Sequence, residues 1–352
     1  MIITRTPFRV SFFGGGTDYP IWYREAGGAV LSTTINKYCY LNCRYLPPFF
    51  EYAFRIRYTT REETRTVDQI VHPSVRECLK FMQIDKGIEM VHTSDIPARS
   101  GVASSSAFTV GFINALHALK GQMATKRQLA REAIHVEQNL IKENVGSQDQ
   151  VACAFGGLNK IEFGGDKEFY VHPVPLTKPR LELLESHLML FFTGFTRNAS
   201  DIAAEQIKNG RGKKAQLTTM MEMVDDAIDI LNGHSDDIRG FGNLLHDSWV
   251  LKKSLSSSIS TTRIDNIYET ALRAGALGGK LLGAGGGGFI LFFVEPDRQK
   301  QVKEKLSHLL EVPFRFERWG SQIVLYSTED LYDEEGSARP HLTNVHPANG
   351  SK

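Results

Sequence analysis

Apolar and polar positions alternate from Ile2 to Phe13, with a break at Pro7, and this predicts a strand pair. Alternation returns from Ala29 to Arg44 and predicts further strands, with Gly27-Gly28 as the turn before them. A β-type segment runs from Gly87 to His92. Helical spacing takes over in the long apolar-periodic segment from Phe108 to Leu119. A second helix begins at Thr125-Lys126-Arg127-Gln128, which has the form of a capping box. Leu129, Ala133, Val136 and Leu140 make its apolar face. A short helix follows Gly146-Ser147-Gln148-Asp149-Gln150-Val151 and ends at Gly156-Gly157. Pro73 to Met82 predicts another short helix. Pro47-Pro48 and the charged run Arg61 to Arg65 read as loops.

Periodicity lapses between Pro173 and Ser186, a stretch rich in Pro and Leu, and a domain boundary is expected there. His187 to Phe192 reads as a buried strand. A long helix begins near Ser200, and long helices continue to Leu255. Another runs from Thr261 to Ala274 and is stopped by Gly275. Phe289 to Val294 is a strand, Arg298 to Leu310 a helix, and strands lie around Phe314 to Ser327. The expected organisation is a first domain over residues 1–180, a second over 181–328, and a polar tail over 329–352.

Composition narrows the function classes. A chain of 352 residues can bury two ordinary cores. A net charge of +1 gives no global field to attract nucleic acid or a membrane. The longest apolar runs are too short to span a bilayer, and the N-terminus lacks a signal-peptide pattern, so a cytoplasmic protein is expected. Cys39, Cys43, Cys78 and Cys153 form no C-x-x-C pair. Cys39 and Cys43 share one face of a strand, which leaves a weak metal or disulfide reading beside that of reduced, partly buried thiols.

The candidate chemistry centres on Ser94 to Ala107, where a glycine and three hydroxyls sit as a loop becomes a helix. The first N–H groups of a helix have no internal partner and lie at the positive end of its dipole, so such a terminus can bind an anion. An ordinary Ser-rich cap has the same composition. Gly101 lets the backbone approach a phosphate closely. In Gly14-Gly15-Gly16-Thr17-Asp18, Asp18 reads either as a turn residue or as an acceptor for substrate hydroxyls. Glu137 falls at the edge of a buried helix face. Asp149 stands near a helix N-terminus, as a cap or as a base. Arg197 precedes the helix near Ser200, as a solvated charge or as a fork for an anionic group. Gly278 to Gly288 contains a G-x-G-x-x-G pattern, but a strand follows it where a dinucleotide site needs a helix.

Pro97 with Gly101-Val102-Ala103-Ser104-Ser105-Ser106-Ala107 resembles the Pro-x-x-x-Gly-Leu-Gly-Ser-Ser-Ala motif of the GHMP kinases. Ala103 stands for the second glycine and Ser106 for an alanine. Thr6 to Val10 with Gly14 to Tyr19 is similar to that family's first motif, and Lys280 to Gly288 to its C-terminal Lys-x-x-Gly-Ala-Gly-Gly-Gly-Gly motif. The resemblance implies two α+β domains, an N-terminal one like domain 2 of ribosomal protein S5 and a ferredoxin-like C-terminal one. It implies ATP and Mg²⁺ as cofactors and a small sugar phosphate as partner. Asp149 is then the base with Arg9 beside it, and Asp18, Gly15, Gly16 and Thr17 hold the sugar; the phosphate that the resemblance implies on the sugar would find its fork in Arg197. Arg99, Ser100, Gly101, Val102, Ala103, Ser104, Ser105, Ser106, Gly285 and Gly286 bind ATP, and Ser105 and Glu137 hold the metal. Arg9 to Pro20 and Gly27 to Ile35 look most like the bacterial heptose kinases. Those act on the anomeric hydroxyl of D-glycero-D-manno-heptose 7-phosphate, toward nucleotide-activated heptose for surface polysaccharide. A fucokinase-like enzyme and a non-catalytic sugar sensor are the alternatives.

Overall fold

A computed structural model describes residues 1–47, 49–165, 168–195 and 199–327 of the chain. Its first sheet is built on β1 (Ile2–Phe13) and β2 (Gly28–Tyr45), paired antiparallel along almost their whole lengths. Pro7 does not split β1 into two strands. The strand continues and the pairing register slips instead, from Pro7 opposite Tyr38 to Phe8 opposite Ile35. A bulge absorbs the missing proline N–H without ending the ladder. β2 is likewise one strand of 18 residues.

β3 (Phe54–Arg57), β4 (Arg61–Thr64) and β5 (Ile88–Ser94) extend the sheet from β2 in the order β5-β3-β4. The charged run at Arg61, expected as a loop, is therefore an edge strand. With one neighbour and solvent around it, its side chains are charged at Arg61, Glu62 and Glu63 and polar at Thr64, and show no apolar alternation. β6 (Asn159–Phe163) pairs with β2 and with β7 (Phe169–Pro173).

The second sheet is antiparallel. It comprises β8 (Leu188–Phe192), β9 (Ala276–Leu281), β10 (Phe289–Val294) and β11 (Leu310–Glu311), in the order β11-β8-β10-β9. β12 (Phe316–Glu317) and β13 (Gln322–Tyr326) then return to the first sheet, against β2 and β1. A cut after residue 180 thus leaves two strands of the first sheet beyond it.

The helices are α1 (Pro20–Ala26), α2 (Pro73–Phe81), α3 (Ser104–Leu119), α4 (Lys126–His135), α5 (Gln148–Phe155) and α6 (Lys178–Ser186). They continue with α7 (Ala199–Asn209), α8 (Lys214–Asn232), α9 (Arg239–Leu255), α10 (Thr262–Arg273) and α11 (Gln299–Lys305). α3 lies across β1 and β2 and is buried from Ser106 to Ala118. α6 occupies the stretch expected to be an irregular boundary. Thr177 caps it by accepting the Arg180 N–H, and only Leu184 is buried, so it carries almost no apolar period. Thr125 caps α4 by accepting the Gln128 N–H, but the Gln128 side chain turns away to Glu132, so the capping box is half formed. All four cysteines are free and buried, and burial pushes the thiols of Cys39 and Cys43 up. Among the described residues no helix is long and apolar enough to cross a membrane. The polar tail expected over 329–352 lies outside the described residues.

Candidate active site

A cavity of about 710 Å³ opens between the N-terminus of α3, the turn after β1, the start of α5 and the glycine turn joining β9 to β10. Its floor is set by Arg9, which is only 2% exposed. The Arg9 N–H donates to Val102 O at 3.1 Å, Nη1 donates to Gly101 O at 2.9 Å, and Nη2 lies 2.6 Å from Asp149 Oδ1. One side chain thus ties the loop before α3 to the first turn of α5. Its rigid fork serves two acceptors at once, which a lysine could not do in this geometry.

Asp18 is buried beside this pair. It accepts the Gly16 N–H at 2.9 Å and the Gln148 N–H at 3.3 Å. Burial raises its pKa against the pull of those bonds, and Asp149 nearby adds to the rise. Gly15, Gly16, Asp18 and Asp149 all line the cavity. Thr17, expected to touch the sugar, does not. It is fully buried, with its hydroxyl 2.8 Å from Gly14 O and 2.9 Å from Ala29 O and accepting the Ala29 N–H at 3.1 Å. It holds the glycine turn in shape.

The loop before α3 also divides. Arg99, Gly101, Ala103, Ser104, Ser105 and Ser106 line the cavity. Ser100 and Val102 are buried behind it and act through their backbones, accepting from Phe289 N–H and Arg9 N–H, each at 3.1 Å. Gly101 has φ +84, and a Cβ there would meet Leu282 O at 2.5 Å, so the loop and the glycine turn touch where only glycine fits. Ala103 takes the left-handed conformation at φ 67, an unfavourable place for a residue with a Cβ, at the position where the family motif has glycine. Within the glycine turn, Gly283 and Ala284 face the cavity. Gly285 and Gly286 turn away: a Cβ on Gly285 would lie 2.8 Å from Ile259, and the Gly286 N–H donates to Ile259 O at 2.9 Å.

The expected Ser105–Glu137 pair is not formed. α4 widens into a π turn at Val136–Leu140, which carries Glu137 wholly into the interior. There it accepts from Ser106 Oγ at 2.9 Å and from the Gln150 amide, while Ser105 stays exposed on the cavity wall. Glu137 Oε1 has no hydrogen-bond partner among the described residues. Burial lifts the Glu137 pKa to about 7. Arg197 lies outside the described residues.

Two features of the cavity were not anticipated from sequence. His72 stacks on Phe108 at 4.8 Å, and His92 meets the same ring edge-on at 5.2 Å. Burial lowers the His72 pKa to about 4 and lowers that of His92, so this wall is aromatic and uncharged at neutral pH and suits a planar base. Lys252 also lines the floor, beside Lys280 of the C-terminal motif. The signal for Lys252 was its place on the apolar stripe of α9, with Leu245, Trp249 and Leu255. Lys253, one position on, pairs with Asp265 near the surface at 3.1 Å.

A helix N-terminus with three hydroxyls, a guanidinium–carboxylate pair below it and a glycine turn closing the side define a phosphotransferase site. The sequence profile of the GHMP kinases N terminal domain matches residues 69–157, and that of the GHMP kinases C terminal matches residues 227–311. The D-glycero-alpha-D-manno-heptose 7-phosphate kinase of Campylobacter jejuni is 31% identical over 326 residues, 87% of this chain and 93% of that protein. The L-fucokinase/L-fucose-1-P guanylyltransferase of Bacteroides fragilis is 27% identical over 85% of this chain, which spans 35% of that longer protein. A crystal structure of a D-glycero-D-manno-heptose 1-phosphate kinase from Bacteroides thetaiotaomicron superposes with a TM-score of 0.76 at 23% identity, over 93% of this chain and 100% of that one, and shares the fold. The chain belongs to the GHMP kinase family. It is an ATP-dependent kinase with an alcohol acceptor.

Proposed function

We propose that this kinase phosphorylates the anomeric hydroxyl of D-glycero-D-manno-heptose 7-phosphate to the 1,7-bisphosphate, in the cytoplasm, toward nucleotide-activated heptose for surface polysaccharide. The observation that carries the reading is the 2.6 Å Arg9–Asp149 contact on the cavity floor, with Asp18 beside it. The Campylobacter relative points to the same substrate. Asp18 accepts hydrogen bonds from sugar hydroxyls and sets the ring. Asp149 receives the proton of the reacting hydroxyl. The N–H groups at the start of α3 and the hydroxyls of Ser104 and Ser105 hold the nucleotide phosphates. His72, His92 and Phe108 take the base. Arg197, outside the described residues, is assigned to the sugar's own phosphate from its place before the helix near Ser200 and the fork its guanidinium offers.

Magnesium, arriving on the nucleotide, supplies charge neutralisation on the phosphates. The donor set fits it: hard hydroxyl oxygens of Ser105 and Ser106 at the wall, and behind them a carboxylate whose Oε1 is orphaned. Acceptor-dependent ADP release over a panel of heptose 7-phosphate, heptose, fucose, galactose and mannose, with the product's phosphate located by NMR, tests the assignment. Heptose 7-phosphate should have the highest kcat/KM. A preference for free fucose would favour the fucokinase-like reading, which the 27% match also permits. Sugar binding without ADP release would indicate a sensor.

A further inference from the structure

Lys252 and Lys280 have no role in the account above. They are 5% and 2% exposed, and both line the cavity beside Arg9, Asp18 and Asp149. Lys280 donates to Phe12 O at 2.6 Å and so fastens β9 to β1. Lys252 donates to Leu281 O at 3.3 Å and to Gly283 O, at the entry to the glycine turn. Among the described residues neither lysine forms an ion pair. Asp149 is engaged by Arg9, and Asp18 by two backbone N–H groups. With Asp149 already taken by Arg9 and burial pushing the Lys280 amine well below the ordinary lysine range, Lys252 is a buried ammonium on this floor with no carboxylate hydrogen-bonded to it among the described residues. A buried ammonium without a counter-charge is costly, and an arriving anion removes that cost. Burial, with Arg9 close by, lowers the Lys252 pKa to about 8, so at neutral pH it is mainly protonated.

We propose that Lys252 is a catalytic residue of the transfer step, its remaining ammonium N–H donating a hydrogen bond, with the proton kept on nitrogen, to a non-bridging oxygen of the phosphoryl group as it moves from ATP to the acceptor. Lys280 is a positioning residue that fixes β9 and the glycine turn against the first sheet. The proposal rests on the kinase reading of this cavity. In the step, the acceptor oxygen bonds to the γ-phosphorus and the bond from that phosphorus to the β–γ bridging oxygen breaks. Its electron pair leaves on ADP, and the hydroxyl proton passes to Asp149. Charge on the non-bridging oxygens is met by a cation already fixed in a water-poor floor, which costs no reorganisation during reaction. Lys252 lines the same cavity floor as Arg9, Asp18 and Asp149, the residues assigned to the acceptor.

Lys252→Met and Lys252→Arg, in the full chain, are compared with wild type for kcat, both KM values, melting temperature and the pH profile from 6 to 9.5. Lys252→Met should lower kcat about 10²–10³-fold with both KM values within a few-fold. Wild-type kcat/KM should fall along an alkaline limb near pH 8. Lys252→Arg, whose guanidinium stays charged, should recover part of the rate and lose that limb. An unchanged kcat in Lys252→Met, or a loss confined to acceptor KM, overturns the proposal. Should Lys252→Met fail to fold, the wild-type limb decides. A midpoint that moves with temperature as an amine's does supports the proposal, and the absence of a limb overturns it. A wild type inactive on every sugar tested would defeat the proposed acceptor and not Lys252, whose effect is then read on slow ATP hydrolysis by water.

Discussion

The Ser106 hydroxyl donates to Glu137 Oε2 at 2.9 Å, and the Gln150 amide donates to the same oxygen. Three elements, α3, the π turn and α5, thus close on one carboxylate in the interior. Burial outweighs both bonds and raises its pKa from 4.5 to about 7. A raised folded-state pKa means that this group's contribution to stability is fully present below about pH 4.5 and is lost as pH rises through 7. Glu137→Gln keeps the shape and removes the titration. The ligand-free variant should melt a few degrees above wild type at pH 8 and close to it at pH 5, while magnesium-dependent turnover is abolished. Melting curves at the two pH values and an ADP-release assay check both halves. Near-normal turnover at saturating magnesium would end the metal assignment.

α10 was legible because one face is buried and the other wet, whereas α3 and β10 were legible as apolar runs buried on all sides. The edge strand β4 and the sparsely buried α6 were not legible, because neither carries an apolar stripe. Asp18, Arg9 and Asp149 could be named in advance because they stand in segments that resemble the family's motifs, and their meeting required β1 and α5 to converge. The exchange of Ser105 for Ser106 at Glu137 could not be read from sequence. It depends on the π turn, which rotates Glu137 relative to an ordinary helix. The inward Lys252 was hidden beside the outward Lys253, since two adjacent lysines on a helix look like a solvated face.

Gly146 passes so close to Asp18 that a Cβ on it would lie 1.8 Å from Asp18 Oδ2. Asp18 is buried and cannot swing aside freely. Gly146→Ala should therefore displace the carboxylate proposed to set the sugar, raising acceptor KM about tenfold, roughly the loss of one good hydrogen bond to a charged group. Nucleotide affinity should be unchanged. Titrations with ADP and with the acceptor, made separately, distinguish this local effect from general damage, which would weaken both.

The contact of Gly101 with the glycine turn gives a complementary test on the nucleotide side. Gly101→Ala introduces a Cβ at φ +84 and 2.5 Å from Leu282 O. Both the strain and the clash push the loop before α3 away from the turn. ADP affinity should fall at least tenfold with acceptor affinity largely kept, the reverse of the Gly146→Ala pattern. Calorimetric titration reads it, and equal ADP affinity in the two proteins would show that this loop does not hold the phosphates.

Asp149 offers the most direct test of mechanism. Its Oδ1 is fixed by Arg9 Nη2, and its side chain remains 28% exposed toward the cavity. A sugar hydroxyl is a poor nucleophile until its proton has somewhere to go, and this carboxylate lines the cavity floor beside Arg9 and Asp18. Phosphoryl transfer is loose, so positioning supplies much of the rate and proton removal comes late. Asp149→Asn retains an oxygen that can accept from Arg9 and so preserves the position while removing the base. General-base loss costs about 10²–10⁴-fold in rate. Arg9→Met removes the other half: it frees Asp149 and also unties Gly101 O, so it should slow transfer and weaken nucleotide binding together. Single-turnover rates and ADP dissociation constants for the two variants separate these effects. Asp149→Asn should lose rate at constant ADP affinity, and Arg9→Met should lose both. A single-turnover rate for Asp149→Asn within a few-fold of wild type would assign catalysis to positioning and to the cations of the floor.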